Sequence, residues 1–263
     1  MSRRGGRTPP PLRRGPRSRI RYRLTRAAST VLVRVLFRLR VEDVERLPSG
    51  AAILCFNHLS WADPFVAMAA LPWFPRLSFF GPKEEDMARG ARNRLMTWTG
   101  TAIPYRPAKD DLLEATRRVG AVMGSGEWLA IAGEGRIHIG ERELLPLSDG
   151  PAFFALRSGV PIVPLAINGT SWLGLGRRLR VRVGVPIEPV GGARRDAVDA
   201  LTAAVTTALR GLVADAPEPP PPGRFGRWLT ERFNDWPEGT RPAGPDAFEP
   251  PPRDPPESAR PSS

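Results

Sequence analysis

His58 and His138 are the only histidines in this 263-residue sequence, and imidazole is the side chain whose ordinary pKa lets it take and return a proton near neutrality. His58 stands in the run AAILCFNHLSWADPF (51–65), between an unbroken apolar stretch of strand type and a helix start marked by Asp63-Pro64. Aspartate is a favoured helix cap and proline a favoured first helical residue, so the helix is expected to begin after His58 rather than around it. Within one continuous helix a five-residue spacing would turn the two side chains to different sides, whereas across a turn they can meet. Asp63 could then hold the hydrogen on one ring nitrogen while the other takes a proton from a hydroxyl. It would serve equally as a plain helix cap, and the spacing alone leaves both roles open.

Other chemistries find less support. Ser60 beside His58 and Asp63 suggests a Ser-His-Asp hydrolase, but no G-x-S-x-G elbow occurs in the chain. Cys55 lies inside the apolar stretch and reads as core. There is no GxxxxGK[ST] loop, and the glycines near 124, 133 and 174 never complete GxGxxG, so neither route to nucleotide binding is expected. Two histidines and one cysteine cannot build an ordinary catalytic zinc site, and no carboxylate cluster suggests magnesium. No metal or cofactor is expected.

The elements that must position His58 follow an α/β pattern, short apolar runs alternating with helical periodicity. Strands are expected at 51–56, 76–80, 101–104, 128–132, 160–167 and 179–187, and helices at 64–71, 84–98, 110–123, 150–158 and 194–213. Residues 1–18 are Arg, Gly and Pro with almost nothing to bury and read as a disordered basic arm. Segment 19–41 reads as an amphipathic helix. Its apolar stripe runs from Ile20 through Leu24, Val31 and Val35 to Leu39, with Arg23, Arg26 and Arg34 on the other side. Such a helix suits a lipid headgroup boundary or a terminal helix packed on the body, and one helix can do both. The body is 42–213. The tail, 214–263, carries 14 of the 31 prolines, interrupted by an amphipathic island at 224–236. There Phe225, Trp228, Leu229, Phe233 and Trp236 suggest docking onto the body or a lipid interface.

The net charge of +12 is concentrated at one end, because the first 40 residues hold 13 arginines and no acid, leaving 12 − 13 = −1 for the rest. A basic arm on a near-neutral body suits a polyanionic partner, nucleic acid or anionic lipid, and charge does not choose between them. No apolar run reaches the 18 or so residues of a spanning helix, and the basic start has no uninterrupted apolar core of a secretory signal. With a single cysteine, a reducing cytoplasmic setting is expected.

The run Asn57-His58-Leu59-Ser60-Trp61-Ala62-Asp63 resembles the NHxxxxD motif of the glycerolipid acyltransferases. Three further blocks stand in the order of that family: Gly100-Thr-Ala-Ile-Pro-Tyr-Arg106, Gly133-Glu-Gly-Arg136 and Val160-Pro-Ile-Val-Pro164. The resemblance covers roughly residues 30–210. It implies a single α/β domain with a mixed β-sheet surrounded by helices. It also implies transfer of a fatty acyl group from acyl-CoA or acyl-carrier protein to the hydroxyl of a lysophospholipid, 1-acylglycerol-3-phosphate above all. His58 and Asp63 would be catalytic. Arg106 and Arg136 would hold the acceptor's phosphate, for which a guanidinium fork is well shaped, and Gly133, Glu134 and Gly135 would line the glycerol-phosphate pocket. One departure stands out: Ala132-Gly133 replaces the family's usual Phe-Pro before Glu-Gly, and Arg136 follows Gly135 without the usual intervening Thr. That change bears on the acceptor more than on the reaction. The resemblance implies an anionic membrane surface as partner, with the enzyme peripheral or monotopic on the cytoplasmic face. The rival, a nucleic-acid-binding protein working through its arginine arm, lacks a recognisable motif in the body.

Overall fold

The computed structural model describes residues 15–81, 95–96, 98–103, 112–220 and 222–234. A seven-stranded mixed sheet organises the chain: β1 (Arg38–Glu42), β2 (Ala52–Phe56), β3 (Leu77–Phe80), β4 (Ala102–Ile103), β5 (Trp128–Ala132), β6 (Ile162–Asn168) and β7 (Arg178–Val183), in spatial order β1-β7-β6-β2-β5-β3-β4. Neighbours are parallel except β6 and β7. The helices are α1 (Pro16–Leu36), α2 (Asp63–Ala70), α3 (Leu112–Met123), α4 (Gly150–Ser158), α5 (Arg195–Val213) and α6 (Arg224–Asn234).

Central β2 shows why the layers form. Its five residues are all buried; Ala52, Leu54 and Phe56 join one core with α1 and α2, while Ile53 and Cys55 join the other with α3, α4 and α5. A strand sends alternate side chains to opposite faces, so a strand covered on both faces must be apolar throughout. All six expected strands form, as do the helices expected at 64–71, 110–123, 150–158 and 194–213, with shifted ends. The helix expected at 84–98 lies outside the described residues apart from positions 95, 96 and 98.

The largest departure is at the start of the chain. α1 begins at Pro16, inside the segment expected to be a disordered arm and where proline suits the first turn, and ends at Leu36; residues 38–42 pair with β7 as an edge strand instead of continuing the helix to 41. In RLRVE the apolar Leu39 and Val41 alternate with charged residues, the period of a half-buried strand. The orientation of α1 was equally hidden. Ser18, Tyr22, Arg26, Ser29 and Val33 face the body, and Arg26 is wholly buried, donating to Tyr22 Oη (2.7 Å) and to the carbonyls of Leu71 and Pro72 (both 2.6 Å). The apolar stripe of Ile20, Leu24, Val31, Leu32 and Val35 points outward. No helix of the described residues is long and apolar enough to cross a membrane.

The β1 edge is fastened by Glu42, which pairs with Arg180 (2.9 Å), Arg182 (3.3 Å) and, within its own strand, Arg40 (2.8 Å). The hydrogen bond from Arg180 leads the causes that hold the Glu42 carboxyl below its ordinary value of 4.5, against the opposing effect of burial. A carboxyl with a lowered folded pKa stabilises the fold above its unfolded pKa and loses that contribution as pH falls through the folded one. Glu42→Gln is therefore expected to cost on the order of 1 kcal/mol at pH 7. In urea melts at a series of pH values, that difference should close progressively below 4.5.

Candidate active site

The site lies where α/β sheets place ligands, beyond the carboxyl ends of parallel strands. β2 leads into the loop 57–62, flanked by the turn after β5 and the segment after β6; Phe56 stands in register with Ala132 on one side and Leu165 on the other. Asn57 anchors the loop to β6, accepting from the Ile167 N–H (2.8 Å) and donating to the Ile167 carbonyl (3.0 Å).

His58 and Asp63 meet across the turn, Nδ1 to Oδ2 at 2.9 Å. The same Oδ2 accepts from the N–H groups of Leu59 (2.8 Å) and Ser60 (3.0 Å), and Oδ1 accepts from the Thr170 hydroxyl (2.6 Å). The Asp63 side chain is fully buried. A carboxylate surrounded by donors can only accept, so Nδ1 of His58 carries the hydrogen and Nε2 keeps its lone pair. The imidazole, 11% exposed, is held edge-on by the rings of Phe56 (5.8 Å) and Trp61 (6.0 Å). Of the two roles the spacing allowed, the structure shows the orienting one: Asp63 is the first residue of α2, Ala62 takes the cap position without a side-chain cap bond, and the Asp63 carboxylate faces back to orient His58 and hold its loop. The arrangement presents one oriented, solvent-reaching proton acceptor backed by a buried negative charge.

Glu134, on the turn after β5, works on the same loop. Its Oε2 accepts from the His58 N–H (2.6 Å) and its Oε1 from the Leu145 N–H (2.8 Å). His138 Nε2 lies 2.8 Å from Oε1 without the alignment of a hydrogen bond, so that contact is electrostatic. The resemblance put Glu134 in the acceptor pocket; here both its oxygens are engaged inside the protein, and its direct work is to hold the loop that carries His58. His138, with no solvent exposure, accepts from the Gly140 N–H at Nδ1 (3.2 Å), and its backbone N–H donates to the His58 carbonyl (3.1 Å), a structural post beneath the site. Gly135 takes φ +68°, a left-handed conformation open to glycine, and this turns the chain toward half-buried Arg136. Arg106 lies outside the described residues.

Thr170 and Glu141 had no signal in local spacing. Thr170 follows β6 and reaches Asp63 from 107 residues away. Glu141 accepts from the N–H groups of Gly169 (2.8 Å) and Ser171 (3.1 Å) and so shapes the segment that bears Thr170; burial pushes its pKa up, against the hydrogen bonds it receives. Only the rule that sites gather beyond the ends of adjacent strands would have pointed to them.

The structure also accounts for the unusual Ala132-Gly133. A β-carbon at Gly133 would lie 2.8 Å from Cys55 Sγ and 2.9 Å from Leu147 Cδ2, and the Gly133 N–H is bonded to the Phe56 carbonyl (2.9 Å). Cys55 and Leu147 fill the space that a larger residue would need, and proline would forfeit the hydrogen bond as well. Burial, with the Glu134 carboxylate as a lesser cause, pushes the Cys55 thiol up to about 12, so it is packing material rather than a nucleophile. Gly133→Ala is expected to cost roughly 1–3 kcal/mol through overpacking, read as a lower midpoint in urea.

Residues 38–168 match the family model described as Acyltransferase. The chain belongs to the acyltransferase family. This agrees with the resemblance carried by Asn57–Asp63. Among solved structures the chain is similar to the 1-acyl-sn-glycerophosphate (LPA) acyltransferase PlsC from Thermotoga maritima, with 19% identity and a TM-score of 0.56 over 74% of this chain and 78% of that one. At that identity the likeness establishes a shared fold, the mixed α/β sheet with its helices. The family match spans β1 to the end of β6 and takes in His58, Asp63 and Glu134.

Proposed function

We propose that the protein transfers a fatty acyl group from acyl-CoA or acyl-carrier protein to the free hydroxyl of a lysophospholipid, with 1-acylglycerol-3-phosphate as acceptor and phosphatidate as product. The observation that carries this reading is the His58–Asp63 bond, which leaves Nε2 as an oriented acceptor at the protein surface. In the reaction, Nε2 removes the acceptor's hydroxyl proton as the oxygen attacks the thioester carbonyl. The carbon–sulfur bond then breaks, and the imidazolium returns its proton to the departing thiolate. Asp63 stabilises the imidazolium between those steps. Arg136 and Arg106 hold the acceptor's phosphate, the part their forks suit.

The test is mass spectrometry of products formed from acyl-CoA or acyl-carrier protein and a panel of lysolipids. Phosphatidate from lysophosphatidate supports the proposal; acylation confined to another hydroxylated lipid would reassign the acceptor, a reading favoured by the altered Ala132-Gly133 beside Glu134. Absence of acyl transfer to any lipid would overturn it.

We further assign the enzyme to the cytoplasmic surface of a membrane. The outward stripe of α1 supports this: Leu24, Val31 and Val35 are each at least 60% exposed, with exposed Arg23 and Arg34 nearby. Arg21 stacks over Trp98 (5.0 Å) and Arg26 over Trp73 (5.3 Å), two partly exposed tryptophans of the kind found at headgroup level. Each apolar side chain moved from water into lipid is worth roughly 1.5–3 kcal/mol. Changing Val31, Leu32 and Val35 together to Ser is expected to abolish flotation with vesicles at every salt concentration and leave the melting temperature unchanged. Flotation equal to wild type would place the membrane contact elsewhere.

A further inference from the structure

The loop that carries His58 satisfies its backbone donors with named acceptors. The His58 N–H goes to Glu134, those of Leu59 and Ser60 to Asp63, that of Ala62 to Ser60 Oγ (3.1 Å) and that of Asp63 to the Ser60 carbonyl (3.0 Å). The remaining one, Trp61, donates to Oδ1 of Asn234 (2.9 Å), the last residue of α6 and 173 positions away. The Ser60 hydroxyl, which accepts from Ala62, points its own hydrogen at the same oxygen (3.0 Å). Two loop donors therefore converge on one buried amide oxygen supplied by the tail.

The way α6 docks makes this contact specific. Gly226, Thr230 and Asn234 recur every four residues and form its buried stripe; of the apolar residues expected to seat the segment, half-buried Phe233 packs edge-on against Phe65 (6.3 Å) and Leu229 is half-buried, Phe225 and Trp228 are exposed, and Trp236 lies outside the described residues. Gly226 lets the helix approach closely, since a β-carbon there would lie 2.9 Å from the Leu173 carbonyl oxygen. Thr230 Oγ1 accepts from the Leu173 N–H (2.8 Å). A helix seated through a polar stripe is placed by hydrogen-bond geometry, which fixes its rotation and height more sharply than apolar burial does.

We propose that Asn234 is a positioning residue for catalysis: it fixes the His58 loop from outside the sheet, so that α6 is part of the active-site scaffold. A loop freed at Trp61 and Ser60 would let the imidazole drift from its line to the acceptor, and displacements near 1 Å can cost about 100-fold in rate. The tie is one of several on the loop, so a smaller loss is expected.

Asn234→Ala should lower kcat about 10-fold while the KM values for thioester and lysolipid stay within twofold, and amide hydrogen exchange over residues 59–62 should quicken about 10-fold. Asn234→Asp keeps an acceptor oxygen facing both loop donors, gives up Nδ2, which has no partner among the described residues, and adds a buried charge, so the exchange readout is the one it should restore. Arg232→Ala, on the exposed side of α6, leaves the buried stripe intact and should leave both readouts near wild type. Should Asn234→Ala not fold, Asn234→Ser, too short to reach the loop, provides the same reading. Unchanged exchange in the Asn234→Ala or Asn234→Ser variant, equal effects from Arg232→Ala, or failure of the Asp variant to restore the loop would overturn the inference. The kinetic arm rests on the proposed reaction and the exchange arm does not. A wild type inactive on every acceptor, with loop exchange still governed by Asn234, would reject the reaction and keep the tie between α6 and the loop.

Discussion

His58→Ala is expected to lower kcat by about 100-fold to 10,000-fold, the range for removal of a positioned general base, while the protein stays folded. The fold should survive because the backbone at position 58, not its side chain, carries the structural bonds: its N–H to Glu134 and its carbonyl to His138. Asp63 would lose one of four partners and keep Leu59, Ser60 and Thr170, so the turn into α2 remains closed. His138 cannot take over, being wholly buried with Nδ1 committed to Gly140 and Nε2 facing Glu134. Single-turnover acyl transfer, with thermal melting as a fold control, gives the answer. A folded His58→Ala enzyme working near the wild-type rate would remove His58 from the mechanism.

The parts of this architecture set by local periodicity were legible in the sequence. β2 is continuously apolar because helices cover both its faces, and Asp63-Pro64 marks a helix start through the fixed φ of proline in the first turn, with Ala62 rather than Asp63 at the cap position. Hydrophobic periodicity located α1 and α6 but did not say which residues of each meet the body. In both, polar residues at four-residue spacing face inward beside a few apolar ones, Tyr22 and Val33 in α1 and Phe233 in α6, while Ile20, Leu24, Val31, Leu32, Val35, Phe225 and Trp228 face out. A moment calculated from sequence identifies two faces without saying which one meets protein, because hydrogen bonds to Leu71, Leu173 or Trp61 substitute for apolar burial. β1 was hidden for a related reason: Leu39 continued the helical spacing of α1, and only pairing with β7, some 140 residues on, makes the segment a strand. Thr170 and Asn234 lie so far along the chain from the turn they support that no spacing rule reaches them.

Asp63→Asn separates the two roles of that residue. Asparagine is close in shape and keeps an acceptor oxygen for the N–H groups of the loop. Its amide must orient with oxygen toward Leu59, Ser60 and His58 Nδ1, since all three donate there; its NH2 then meets the Thr170 hydroxyl, which can turn to accept. The loop, the imidazole tautomer and the start of α2 are therefore retained. What disappears is the negative charge that faces the imidazolium once His58 holds the acceptor's proton. Two unit charges about 4 Å apart at an effective dielectric near 20 attract by roughly 4 kcal/mol, equivalent to about 1,000-fold in rate. Some of that is recovered by the neutral amide dipole, so kcat is expected to fall about 100-fold to 1,000-fold with KM for both substrates near wild type. Amide exchange over residues 58–63 should be unchanged. If exchange there quickens as the rate falls, Asp63 acts chiefly as the anchor of the loop; if neither moves, the carboxylate contributes no charge stabilisation and His58 works without it.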